Sequence, residues 1–432
     1  MAAADREPLT LLAEAPPVPA QASLRRAALL VAPAMAAANG LNYAFNVVMS
    51  RELGPADYGA LGALLAVVLV GTVPGVALQA VVARHTALAR DDGTAGLWAA
   101  VLIAVLGVGA VLGLLAVIAG PGLRAFMHLD SLAPCLWLAV ALLPLPLLSA
   151  VHGMLQGREW FGALAAVLLV DAAGRLVIGF GLVHGGLGVA GALAGGAAGS
   201  VAAILVALPR LRASLSRGWR RRRPLGVAAA REVGTAAVGI LGLLLLANVD
   251  VLLARHYLTR EASGLYAAGA MLTKIAYWAP QFVVTLVFPR LVVTADRRRL
   301  LARSATAVAG LGATLVLGTA LAPELLARLS FGQAYLGVGP ALPLFAALGT
   351  GLALAQLVLF SGLATADRRM HLLPLAAVVA ETVLVVVVLH HSVVQVVSAA
   401  LAVVAVLLAV GFALTAGAPD RHAHQLRAEA AP

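Results

Sequence analysis

Polar and ionisable side chains interrupt the long apolar stretches of this sequence at only a few positions. An ionisable group in the hydrocarbon of a bilayer costs about 2.5–3.5 kcal/mol on insertion scales, so such groups usually face a wet cavity or the interior of a helix bundle. We interpret these residues as candidates for lining a cavity that binds a substrate or a coupling ion. They are Asn39, Asn42, Asn46, Asp171, Arg175, Asn248, Asp250, Lys274 and Glu381.

The candidates in the first half of the chain share helix faces. Asn39, Asn42 and Asn46 are three and four residues apart and form one polar stripe. These asparagines would line the cavity or, alternatively, form hydrogen bonds between packed helices. Asp171 and Arg175 are four residues apart and can pair on one helix face. Arg175 is a candidate for contact with the substrate; the alternative is a pair that only lowers the cost of membrane insertion.

The candidates in the second half include a cation and two carboxylates. Lys274 is the only lysine of the chain, and a lone intramembrane cation is suited to binding a diphosphate. Counted from the neighbouring outer turn, Asp250 and Lys274 lie at depths that differ by about 6 Å, which a long lysine side chain can bridge. Asn248 lies beside Asp250 and is a further candidate for the cavity wall. Glu381 and Asp171 are the candidates for ion coupling, because intramembrane carboxylates form proton relays in pumps and transporters.

No motif for a catalytic, metal or cofactor site can be recognised in the sequence. The glycine-rich segments Gly185–Gly188 and Gly195–Gly196 lack the Gly-Lys-Ser/Thr ending of a phosphate-binding loop. Small residues in the fifth and sixth predicted spans are expected to permit close helix packing. His390 and His391 have no spaced partner ligands, and the single cysteine, Cys135, excludes an intrachain disulfide. We therefore expect no metal, no cofactor and no enzymatic activity. Arg255 is expected at the outer membrane interface, without a role in binding.

Apolar stretches long enough to cross a bilayer repeat along the chain and would position these residues. A hydrocarbon core about 30 Å thick needs about 20 apolar residues in a helix, because each residue advances about 1.5 Å. Membrane strands are excluded, because they alternate apolar and polar residues and run for only about ten residues. The sequence therefore predicts an all-α polytopic membrane protein with about twelve transmembrane helices. The predicted spans are 27–50, 58–83, 96–119, 132–155, 161–183, 187–208, 233–257, 263–289, 301–320, 338–364, 370–389 and 393–416.

The composition and the distribution of charge agree with this prediction. Hydrophobic residues make up 62% and charged residues 11% of the chain, whereas a soluble domain has about 25% charged residues. Most of the basic residues behind the net charge of +11 lie in alternate connectors, which is the positive-inside pattern of cytoplasmic loops. Both termini should therefore be cytoplasmic, and the positive charge does not indicate binding of nucleic acid.

The chain contains an internal repeat at an offset of about 205 residues. The connectors Arg51–Gly59 and His256–Gly264 each place a leucine six residues before a glycine that opens the next span. Because each half contains an even number of spans, the two copies share one orientation and form two parallel six-helix repeats. The predicted organisation is a disordered cytoplasmic tail at 1–24, six-helix bundles at 25–208 and 232–416, a basic cytoplasmic linker at 209–231 and a cytoplasmic tail at 417–432.

The repeated segments resemble those of a known protein family. The runs Asn42–Asn46, Arg51–Gly59, Asn248–Arg255 and Gly264–Tyr266 look like the polysaccharide (Wzx-type) flippases, whose superfamily includes the multidrug and toxic-compound extruders and the lipid II flippases. The resemblance covers about residues 25–416. It implies translocation of a polyprenyl-pyrophosphate-linked oligosaccharide from the inner to the outer leaflet of the bacterial cytoplasmic membrane, by rocking of two six-helix halves. Membrane lipids, a polysaccharide polymerase and glycosyltransferases are the candidate partners.

Two other functions compete with this interpretation. The first is export of lipid II or of a drug by a transporter of the same superfamily. A drug exporter normally has an acidic cavity, whereas the intramembrane acids and bases here are comparable in number. The second is a membrane-embedded glycosyltransferase or polysaccharide ligase. Such enzymes commonly carry a substantial outer loop with catalytic groups, whereas the longest outer connector here, 321–337, has only about 17 residues.

Overall fold

Helices make up almost all of the chain that the structure describes. The computed structural model describes residues 21–88, 91–218, 240–278, 297–363 and 368–417, with the single residues 234 and 237. No strand occurs within these ranges, so the prediction of an all-α fold is confirmed. The predicted tails before residue 21 and after residue 417, and the predicted linker from residue 219 to 231, lie outside the described residues.

Short turns connect the helices in each half. The first half contains α1 (Gln21–Gly71), α2 (Val73–Leu88), α3 (Asp91–Phe126), α4 (Ala133–Leu142), α5 (Leu145–Gly157), α6 (Phe161–Leu182), a π-helical turn (Val183–Leu187) and α7 (Gly188–Gly218). The second half contains the helical residues 240–246, α8 (Val249–Tyr257), α9 (Arg260–Trp278), α10 (Arg297–Leu321), α11 (Pro323–Ser330), a 3₁₀ helix (Gln333–Ala341), α12 (Leu342–Leu363), α13 (Arg368–Val387) and α14 (Val393–Gly417).

The lengths and compositions of these helices agree with the predicted membrane spans. Eight stretches of the described residues are long and apolar enough to cross a membrane. Two of them, Leu30–Ala87 with 58 residues and Phe161–Arg212 with 52 residues, are long enough for two crossings each. The shorter apolar stretch Leu372–Val387 and helix α9 occupy two further predicted spans. The prediction of about twelve transmembrane helices is therefore confirmed.

Glycines with positive φ interrupt the two longest stretches. Gly54 has φ 70° and ψ 173° inside α1, and Gly186 has φ 93° in the turn between α6 and α7. This backbone region is disfavoured for residues with a Cβ, so glycine is suited to both breaks. Beyond the second break, α6 and α7 lie so close that a Cβ on Gly195 would overlap the backbone of Gly179. The expected close packing of small residues is confirmed here.

The first of two compact units contains the described residues of 1–45, 71–119 and 133–237. Apolar side chains from α2, α3, α5, α6 and α7 form its core. Val82, Val105, Met154, Val167 and Ala203 are almost fully buried there. The core packs α7 beside α6, and α6 carries both residues of the intramembrane ion pair of this unit.

The second compact unit contains the described residues of 46–70, 120–132 and 238–432. Its core includes Tyr266 and Phe345, whose rings meet edge to face with centroids 5.0 Å apart. The segments 46–70 and 120–132 come from the first predicted repeat, so the compact units do not follow the predicted domain boundaries. Those boundaries stay a prediction about the repeat.

The two copies of the repeated connector pack against each other within the second unit. Gly59 lies against Ser263, and Gly264 lies against the backbone of Pro55, so closely that a Cβ on either glycine would overlap its neighbour. Gly59 and Gly264 are the equivalent glycines of the repeat. The equivalent glycines of the two copies therefore both lie at the contact between the connectors, although each meets a different position of the other copy.

Candidate functional site

The asparagine stripe of α1 changes environment along the helix. Asn39 is exposed, whereas Asn42 and Asn46 are half-buried. The hydroxyl of Tyr58 donates to Oδ1 of Asn46 at 3.2 Å. This bond involves Asn46 in the internal packing of the second unit, so the structure supports the hydrogen-bonding interpretation for this asparagine. Cavity lining by Asn39, Asn42 and Asn46 stays a prediction.

The first unit contains the expected ion pair between α6 residues. Nη2 of Arg175 lies 3.6 Å from Oδ2 of Asp171, with the two side chains 25% and 19% exposed. The hydroxyl of Ser200, on α7, donates to Oδ1 of Asp171 at 2.8 Å. The buried Nε of Arg175 has no hydrogen-bond partner among the described residues. Arg175 therefore neutralises Asp171 and keeps at least one donor for another oxygen.

A histidine that sequence reasoning missed lies near this pair. His152, on α5, interacts electrostatically with Asp171. Its buried Nε2 has no hydrogen-bond partner within the described part of the chain. A single histidine in an apolar helix carries no spacing signal, so only the packing of α5 beside α6 reveals it. The first unit thus holds a cluster of an acid, a base and a cation.

The second unit carries its polar residues at a break in the seventh predicted span. The helix at 240–246 stops, residues 247 and 248 form a turn, and α8 begins at Val249. Asn248 is 2% exposed, and its Nδ2 donates to the Leu244 carbonyl at 2.9 Å. Its buried Oδ1 has no partner among the described residues. Discontinuous helices of this kind place backbone and side-chain polar groups at binding sites in transporters.

Asp250 follows the break and is held by two hydrogen bonds. The hydroxyl of Tyr266 donates to Oδ2 at 2.8 Å, and the Val251 amide donates to Oδ1 at 2.8 Å. Asp250 is only 3% exposed, and its charge interacts with that of Lys274, which is half-buried on α9. The structure therefore brings together Asp250 and Lys274, as the depth estimate predicted.

Glu381, on α13, belongs to the same electrostatic cluster and is fully buried. Its charge interacts with that of Asp250. Neither carboxylate oxygen has a hydrogen-bond partner in the described ranges. An unpartnered carboxylate in a dry interior is costly as an anion, so it binds a proton or another positive charge. No group of three or more metal-binding side chains occurs among the described residues.

Arg255, which is expected at the outer membrane interface, is buried within the protein. It is 3% exposed and lies in the last turn of α8. Its Nε donates to the Met127 carbonyl at 2.8 Å, and its Nη1 donates to the Ala56 carbonyl at 2.9 Å and to Oγ of Ser263 at 3.0 Å. Sequence reasoning missed this because the two carbonyls lie 128 and 199 residues away along the chain.

An open cavity of about 490 Å³ lies beside this region and is lined in part by Arg124, His128 and Arg260. Arg260 donates two hydrogen bonds to the carboxylate of Asp130, at 2.7 and 3.0 Å. This ion pair lowers the pKa of Asp130 from its ordinary value. None of the intramembrane candidate residues lines this cavity.

Comparisons with known proteins agree on the family and the fold. The profile of a family described as "Polysaccharide biosynthesis protein" matches residues 24–294. No curated protein sequence matches the chain significantly. Among solved structures, the lipid II flippase MurJ in an inward closed conformation has a TM-score of 0.70 at 12% identity, covering 91% of this chain and 88% of that chain.

Two further solved structures show the same fold. An inward-facing multidrug resistance MATE family transporter of the MOP superfamily has a TM-score of 0.68 at 13% identity, covering 88% of this chain and 96% of that chain. A MOP superfamily transporter from Pyrococcus furiosus has a TM-score of 0.62 at 12% identity, covering 90% of this chain and 94% of that chain. The chain is thus similar in fold to transporters with different named substrates.

Proposed function

Because this chain belongs to the polysaccharide biosynthesis protein family, we propose that it flips a polyprenyl-pyrophosphate-linked oligosaccharide across the bacterial cytoplasmic membrane. The chain is a multi-pass membrane protein, and in the proposal both of its termini are cytoplasmic. The cargo moves from the inner to the outer leaflet by alternating access, while its polyprenyl chain stays in the bilayer.

The observation that carries this proposal is a half-buried intramembrane cation in each compact unit. Arg175 supplies one and Lys274 supplies the other. A diphosphate that leaves water must replace its hydration with donors, and charge-assisted hydrogen bonds are the strongest ones available. The guanidinium of Arg175, whose side chain is 25% exposed, has several such donors. The two cations are therefore the proposed contacts of the diphosphate, with Asn39, Asn42, Asn46, Asn248 and Asp250 as the proposed cavity lining.

Carboxylates beside these cations provide the proposed coupling sites. Glu381 lies in the cluster of Lys274 and Asp250, and Asp171 pairs with Arg175. Protonation of Glu381 would change the net charge of its cluster, and hence its attraction for an anionic cargo, without movement of the backbone. Transport would then respond to the proton gradient.

Lipid II is the second candidate cargo, because it presents the same polyprenyl diphosphate to the same cations. A cationic drug fits less well, since Arg175 and Lys274 would repel it. A membrane-embedded glycosyltransferase or polysaccharide ligase is the remaining alternative. The connector that would have to carry its catalytic groups is occupied largely by α11 and the 3₁₀ helix, which end directly at α12.

The proposal can be tested with purified protein in liposomes. A fluorescent polyprenyl-diphosphate-linked oligosaccharide is placed in both leaflets, and flipping is followed by the fraction that a membrane-impermeant quencher reaches. Arg175→Gln and Lys274→Met should each lower the flipping rate at least about tenfold, since a hydrogen bond to a charged group contributes about 1.5–3 kcal/mol. Arg328→Gln, which removes an exposed outer arginine, is the matched control.

The choice of cargo decides between the candidates in the same assay. Faster flipping of labelled lipid II than of the oligosaccharide carrier would favour the second candidate. Uptake of a cationic dye in place of both would favour drug export. Wild-type flipping by both Arg175→Gln and Lys274→Met would refute the assigned roles of these cations.

A further inference from the structure

Arg255 makes its hydrogen bonds to three separate segments of the chain. We call this set, Arg255 with Ala56, Met127 and Ser263, the outer network. Ala56 lies in the connector after the first predicted span, Met127 directly follows α3, and Ser263 lies in the first turn of α9. The outer network therefore joins two outer segments of the first repeat to two of the second.

The partners of Arg255 make the outer network sensitive to separation of these segments. Its acceptors in the outer network are two carbonyls and a hydroxyl, and the acidic residues Asp57, Asp130 and Glu261 act on Arg255 electrostatically. A buried guanidinium that loses its acceptors is strongly unfavourable. The charge is therefore stable in this position only while all three segments surround it, or once water can enter.

Other contacts join the same parts of the two repeats. Nδ1 of His256 lies 2.8 Å from the Phe126 carbonyl, to which it donates, and the two rings stack with centroids 4.2 Å apart. The hydroxyl of Tyr335 donates to the Ser50 carbonyl at 2.9 Å. In each case a side chain of the second repeat donates to a backbone carbonyl at the outer end of the first.

We infer that Arg255 is a positioning residue of the transport cycle: it holds the outer ends of the two repeats together and thereby keeps the proposed substrate cavity closed to the outside. The inference rests on the proposed transport function, because alternating access requires an outer barrier that forms and breaks. When the outer side opens, Arg255 exchanges its acceptors on the first repeat for water. The residue needs no contact with the cargo.

The test measures the separation of the outer segments directly. Spin labels are attached at Ser131→Cys and Ala334→Cys, two exposed neutral positions in the outer segments of the first and second repeats, in a Cys135→Ser background. Electron-electron double resonance then gives the distance distribution in liposomes. The distribution gives the populations of molecules with longer and with shorter label distances. We expect Arg255→Met to raise the ratio of the longer-distance to the shorter-distance population at least about tenfold, which corresponds to about 1.4 kcal/mol. Arg255→Lys should give an intermediate ratio, because it keeps the charge but not the forked donors.

Two controls make every outcome decisive. Arg328→Met removes another outer arginine, which is exposed, and should leave the distances unchanged. If Arg255→Met is not recovered from the membrane, Ser263→Ala replaces it and should shift the ratio in the same direction by a smaller amount. Unchanged distances in the recovered variant overturn the inference. The measurement uses no cargo, so its failure is distinguishable from failure of the proposed flippase function.

Discussion

Replacing Gly264 with alanine would test the contact between the two copies of the repeated connector. The new Cβ would overlap the carbonyl oxygen, the carbonyl carbon and the Cα of Pro55, which are all backbone atoms. No side chain can rotate away to make room. The start of α9 must therefore move away from the connector of the first repeat, or the connector itself must shift.

The size of the effect follows from the cost of overpacking. Forcing a methyl group into a filled site typically costs about 1–3 kcal/mol. Alanine also has a higher helix propensity than glycine, by up to about 1 kcal/mol, but this gain is present in both states of a transporter and cancels in their ratio. If the strain exists only while the outer segments are in contact, the ratio of the population with separated outer segments to the population with contacting ones should rise about 5- to 150-fold.

The same pair of spin labels, at positions 131 and 334, reports this ratio. Gly122→Ala is the matched control, because this glycine also lies in a helix near the outer segments but a Cβ added to it would have no neighbouring atom within 4 Å. Gly59→Ala should act in the same direction as Gly264→Ala but more weakly, since its Cβ would overlap backbone atoms of Ser263 and Gly264 less deeply than a Cβ on Gly264 would overlap Pro55. A distance distribution in Gly264→Ala that matches both Gly122→Ala and the wild type would refute the reasoning.

Two further predictions concern single carboxylates. Glu381→Gln keeps the side-chain shape but removes the exchangeable charge, so the protein should reach normal abundance while its flipping rate loses its pH dependence. The control Glu324→Gln, at an exposed outer position, should keep the pH dependence of the wild type. An unchanged pH profile in Glu381→Gln would exclude the coupling role. Arg260 lowers the pKa of Asp130 below its ordinary 3.8, so the ion pair is complete above that value and is lost only as the pH falls through the lowered pKa. Any effect of Asp130→Asn on the label distances should therefore be the same at about pH 8 and about pH 5, and a change between these values would assign control to another group.

Most of the fold could be predicted from the sequence because its main determinants are local. The spans follow from apolar length, and the kink at Gly54 falls in the Gly-Pro pair of a connector that the sequence repeats. Asp250, Lys274 and Glu381 were found because a charge in an apolar stretch is costly wherever the chain folds. Only the structure shows that these three interact in one unit.

The features that sequence reasoning missed depend on contacts between distant segments or on signals that sequence does not carry. The break at residues 247 and 248 contains neither proline nor glycine. His152 becomes a candidate only because the structure places it near Asp171 on the neighbouring helix. The position of Arg255 near the end of its span predicts the outer interface, whereas its burial depends on carbonyls contributed by the other repeat. These acceptors are backbone carbonyls, which every residue has, so the sequence does not indicate which residues supply them.

Helix α8 connects the intramembrane cluster to the outer network. It begins just after the break at Asn248, carries Asp250 in its first turn and Arg255 near its end, and is only nine residues long. The two charged residues are separated by about 7.5 Å along the axis, at about 1.5 Å per residue. Because both residues lie on one short helix, a movement of α8 as a rigid piece would displace both of them together. A change in charge at Asp250, or at Glu381 and Lys274 beside it, thereby acts on the same short helix whose far end holds the outer segments in place.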